Sequence, residues 1–84
     1  MIRLLYLARL REALGRRDES VDLPADVQTV EALVAWLRAR GGAWARELAP
    51  ARPVRVAVNH DVADGSTPVA AGDEIAFFPP VTGG

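Results

Sequence analysis

One stretch of this chain keeps a sustained helical period. Val30, Leu33, Val34 and Leu37 fall at i, i+3, i+4 and i+7, which sets all of them on one apolar stripe. A helix with such a stripe must bury it against something. The chain has 84 residues, the size of one domain, so the covering surface has to come from that same domain. The other apolar segments are short, and most alternate in twos, the period of strands. In residues 2–8, Ile2, Leu4 and Tyr6 share one face while Arg3, Leu5 and Leu7 share the other. Arg3 marks the second face as the solvent side and leaves Leu5 and Leu7 exposed on it. Residues 9–14 allow one or two helical turns, stopped by Gly15. Residues 19–23 alternate again, with Val21 and Leu23 apolar, as far as Pro24.

Thr29 is expected to cap the main helix, with Glu31 in the first turn, where the helix dipole favours an anion. Arg38 and Arg40 fall in the last turn, and Gly41-Gly42 is expected to end it. Residues 43–49 read as a short second helix closed by Pro50, with Trp36 and Trp44 packing around both. Val54, Val56 and Val58 alternate in a third strand. Asn59-His60-Asp61 turns the chain into a short return strand at Val62-Ala63. Residues 74–78 form the last strand, which Pro79-Pro80 ends because proline gives no N–H to a ladder. The order predicts an α+β domain, with one main helix on one face of a mixed sheet. The first two strands pair as a hairpin and the last lies beside the first, which is the β-grasp (ubiquitin-like) arrangement. The domain is expected over residues 1–80, followed by a flexible Gly-Gly tail over 81–84.

The formal net charge of −1 offers no concentrated basic surface for nucleic acid or an anionic membrane. No apolar run approaches the ~20 residues of a membrane span. The apolar start lacks an A-x-A-like cleavage site and runs at once into Arg9 and Arg11, so it reads as a strand and not a signal peptide. A soluble cytoplasmic protein is the expectation. With no Cys there is no disulfide, no thiolate metal site and no Cys nucleophile. The single His, His60, sits in a turn and reads as a solvated side chain, since a metal needs several convergent ligands. Asp73 and Glu74 are adjacent in a strand and point to opposite faces, a poor acid–base pair. Neither Ser20 nor Ser66 has a His nearby to activate it. The chain thus shows no active site of its own, and no bound cofactor or metal is expected.

What remains is the end, Phe77-Phe78-Pro79-Pro80-Val81-Thr82-Gly83-Gly84. Two aromatics anchor the last strand, two prolines stiffen the exit, and Val81 and Thr82 favour extended backbone. Gly83 and Gly84 have no side chains, so they can pass a narrow tunnel and bring backbone close to a nucleotide or substrate. The reactive group is then the carboxylate of Gly84, which another enzyme can activate with ATP.

This ending, from Asp73 to Gly84, closely resembles that of the molybdopterin synthase small subunits, the MoaD family. Arg9-Leu10-Arg11-Glu12, Thr29-Val30-Glu31-Ala32-Leu33 and Val58-Asn59 resemble it too, and the likeness extends over the whole chain. The resemblance implies that an ATP-dependent adenylating enzyme activates Gly84 and that sulfur replaces the adenylate to leave a thiocarboxylate. The tail over Val81, Thr82 and Gly83 then enters the large synthase subunit. There, sulfur passes to cyclic pyranopterin monophosphate, in an assembly of two small and two large subunits. In the family, the positions matching Leu7, Arg11, Val62 and Phe78 lie on the partner interface; Leu7 stands where a larger aromatic is often found. Strand parity agrees: Glu74 marks the outer face of the last strand, so Phe78 is expected to be exposed and Phe77 buried. The alternatives are a sulfur carrier for thiamine or tRNA thiolation, and a ubiquitin-like protein modifier.

Overall fold

A computed structural model describes residues 1–80 of the chain. Its elements are β1 (Ile2–Tyr6), α1 (Arg9–Leu14), β2 (Asp18–Val21), α2 (Val30–Arg38), α3 (Gly42–Glu47), β3 (Arg55–Val58), β4 (Asp61–Ala63) and β5 (Glu74–Phe78). They build one five-stranded sheet in the order β2-β1-β5-β3-β4. β1 and β5 run parallel, and the other neighbours are antiparallel. This is the expected β-grasp arrangement, with the last strand beside the first.

The apolar stripe of α2 is buried as its spacing requires: Val30, Leu33 and Leu37 are enclosed and Val34 half-enclosed. Thr29 caps the helix, its Oγ1 accepting the Ala32 N–H at 3.3 Å. Below the helix lie the inward residues of the sheet: Ile2, Leu4 and Tyr6 of β1, Val56 of β3, and Ile75 and Phe77 of β5. The rings of Tyr6 and Phe77 stack with centroids 5.7 Å apart. Leu10 and Leu14 of α1 close one end of this core.

Several boundaries differ from expectation for local reasons. β1 stops at Tyr6, because the Leu10 N–H turns back to the Leu7 carbonyl at 3.1 Å. β2 ends at Val21, although Leu23 still packs on the core. α2 ends at Arg38 and not at Gly41-Gly42, since short turn bonds from Arg40 to Leu37 and from Gly41 to Arg38 close it early. Gly41, at φ 79°, is instead the N-cap of α3, and Gly42 is that helix's first residue. Asn59 and His60 both have positive φ, 50° and 75°, and form a tight two-residue link between β3 and β4.

Candidate functional site

The helices cover one face of the sheet. The other face carries the outward residues, and the register sets them in rows. Leu5 lies between Asp18 and Ala76, Ala76 pairs with Ala57, and Ala57 pairs with Val62. One row therefore crosses the whole sheet and is apolar from Leu5 to Val62. One step toward the tail, Phe78 lies opposite Arg55 on β3, and Leu7 binds the Phe77 carbonyl from the β1 side. One step the other way, Arg3 lies beside Glu74 and pairs with Asp18 at 3.3 Å. The result is an apolar patch with charged ends.

Within this patch the expected positions separate. Leu7 and Val62 are 44% and 64% exposed, large apolar side chains left uncovered. Phe77 is fully buried and Phe78 faces outward, so the strand parity is as expected. Phe78 is half-buried where exposure was expected. It sits on a central strand, flanked by the neighbours just named, whereas Val62 sits on the edge strand β4. Arg11 is exposed on α1, which Ala8 joins to Leu7. Val81, Thr82, Gly83 and Gly84 lie outside the described residues.

The described chain runs out of the sheet at Pro79 and Pro80, which are half-buried. Beside them lies an open groove of about 520 Å³, lined by Arg9, Ala51, Arg52, Pro53, Pro79 and Pro80. Behind its arginines is Glu47, whose carboxylate lies 3.3 Å from Arg52 and 3.6 Å from both Arg9 and Arg46. Glu47 is only 5% exposed, the one buried charged residue among those described. Sequence reasoning missed this cluster: a Glu in a short helix reads as solvated, and its partners come from separate segments.

A second missed network lies at the β2 edge. The Tyr6 hydroxyl donates to Glu19 Oε2 at 2.7 Å, and Arg40 grips both Glu19 oxygens at 2.8 and 3.1 Å. Burial raises the Tyr6 phenol well above its ordinary value, and the bond to Glu19 adds to that. Burial also pushes Glu19 up, but the bonds from Arg40 and Tyr6 and the charges of Arg40 and Arg16 outweigh it, so its pKa is lowered. The Arg40 guanidinium also lies over the rings of Trp44 and Trp36, at 5.0 and 5.7 Å. Both indoles pack against the core as expected. This network ties β1 and β2 to the turn that follows α2.

Among the described residues no cluster of His, Asp or Glu side chains could hold a metal ion. No described helix is long and apolar enough to cross a membrane. The His60 side chain is 87% exposed, with Glu74 3.6 Å away.

Comparison with known proteins is consistent over the full length. The ThiS family matches residues 4–84. The molybdopterin synthase sulfur carrier subunit of Escherichia coli is 40% identical over 84 residues, covering all of both chains. That of Haemophilus influenzae is 39% identical over the same full span. Among solved structures, SAMP1 from Haloferax volcanii superposes with a TM-score of 0.75 at 30% identity, covering 99% of this chain and 98% of that one.

Proposed function

The chain belongs to the ThiS family, and from that premise we infer that it is the sulfur-carrier small subunit of molybdopterin synthase. The observation that carries this reading is the 40% identity to a subunit of that name, over an aligned span that covers all of both chains. The tail chemistry extends the inference. A carboxylate is a poor electrophile, so Gly84 must first be activated. Its oxygen attacks the α-phosphorus of ATP on a separate adenylating enzyme, and pyrophosphate leaves. A sulfur nucleophile then attacks the acyl carbon and AMP departs with the bonding electrons. The product is a terminal thiocarboxylate, a nucleophilic sulfur on a chain that has no Cys. In the large subunit this sulfur passes to cyclic pyranopterin monophosphate, and two deliveries build a dithiolene. The assembly consists of two small and two large subunits.

The geometry supports docking by the open face of the sheet. The chain leaves β5 next to Leu7 and Phe78, so a partner seated on that patch also stands at the start of the tail. Deleting Gly84, or extending the chain beyond it, should abolish sulfur transfer and leave the melting curve unchanged, because a terminal residue carries little of the fold's stability. The assay combines the carrier, synthetic thiocarboxylate or enzymatically activated, with the large subunit, and reads product. Normal turnover by an extended chain would overturn the mechanism.

A further inference from the structure

The groove at the tail root holds more positive charge than the fold needs. One guanidinium is enough to neutralise the buried carboxylate of Glu47, yet Arg9, Arg46 and Arg52 all converge on it. Their separations of 3.3–3.6 Å exceed the ~2.7–2.9 Å of a strong charge-assisted bond. A carboxylate has about four acceptor sites, whereas each guanidinium has five donors. Most of the donors are therefore left over. Arg9 and Arg52, with side chains 55% and 42% exposed, line the open groove, and their neighbours there are Ala51 and three prolines.

These features separate the groove from an ordinary solvated arginine face. A buried anion fixes the guanidiniums from behind, so less side-chain freedom is lost when a ligand arrives. The remaining walls, Ala51 and three prolines, offer the guanidiniums no competing acceptor side chain. The groove also continues the patch along the chain. Arg9 comes two residues after Leu7, and Pro79 follows Phe78. The groove therefore adjoins the patch where the chain leaves the sheet.

We propose that this groove is a second docking point, in which Arg9 and Arg52 receive an Asp or Glu side chain of the large synthase subunit beside the mouth that admits the tail. The proposal rests on the reading of the chain as that synthase's small subunit. The surplus charge selects an acid. The acid completes the half-satisfied arginines and sets the angle at which the tail starts into its channel.

The test is titration calorimetry of the full-length carrier against the large subunit, repeated across a series of salt concentrations. Wild type is compared with Arg9→Gln, Arg52→Gln and Arg46→Gln. All three arginines touch Glu47, but Arg46 does not line the groove. Arg9→Gln and Arg52→Gln should each weaken binding about tenfold and flatten its salt dependence. Arg46→Gln should bind within about twofold of wild type. Melting curves recorded alongside measure the shared loss of a Glu47 partner. Wild-type affinity and salt slope in Arg9→Gln and Arg52→Gln would overturn the proposal, as would an equal loss in Arg46→Gln. In both cases the function would stand, because wild type still binds. No wild-type binding at all would overturn the function, and this proposal with it.

Discussion

Phe77 and Phe78 are neighbours of the same chemistry with opposite duties, because successive strand residues face opposite sides. This was legible: Glu74 labels one face of the strand, and two-residue steps carry the label to Phe78. The half-burial of Phe78 was not legible, since it depends on which strands flank β5. Phe77→Ala should cost about 3–5 kcal/mol of stability by opening a core cavity. Phe78→Ala should cost only about 1 kcal/mol in the free protein. Its effect should fall on the partner, weakening binding by ~2 kcal/mol or more if it anchors the interface. Urea melts and calorimetry against the large subunit separate the two. If Phe78→Ala unfolds and Phe77→Ala binds badly, the faces are inverted. Ala8 is a residue whose conformation its sequence hides. It lies in a turn at φ 53° and ψ −130°, a place that glycine usually takes. Ala8→Gly should relieve that strain and, after glycine's own entropy cost, stabilise the fold by about 1 kcal/mol. A lower urea midpoint in Ala8→Gly would show that the turn is unstrained.

At the scale of elements, what was legible was local. The Thr29 cap, the α2 stripe and the span of β5 each depend on residues a few positions apart. The Glu19 network was hidden because Arg40 lies 21 positions away, in the turn between α2 and α3. Turn, edge strand and buried Tyr6 meet only once the sheet has formed. This network makes stability depend on acid. The folded pKa of Glu19 lies below its ordinary value of 4.5. Its contribution is therefore fully present above that value and is lost as pH falls through the lowered folded pKa. Glu19→Gln cannot titrate, so the stability gap between wild type and variant should stay constant from neutral pH to about 5 and shrink at lower pH. Urea midpoints measured over that range check the sign. A gap that widens in acid would mean that Glu19 is protonated more readily in the folded state.

For the whole molecule, the β-grasp order followed from one helical stripe set among strand-period segments. The open face followed from Arg3 and Glu74 marking outward positions. The tail-root cluster did not, because Arg9, Glu47 and Arg52 belong to segments that only the folded topology joins. That topology also has a mechanical side. β5 is held on both edges, by β1 and β3, and it runs parallel to β1. The Met1 carbonyl is held by the Gly72 N–H at one end of this pair, while the chain leaves through Pro80 at the other. Tension between the first residue and the tail therefore runs along the strands and loads both ladders in shear, with every bond sharing the force. Single-molecule pulling between those two points should give one high-force rupture. Pulling across the β3–β4 hairpin should unzip it bond by bond at lower force. A strand held this way can bear a pull applied at its exit and stay in place.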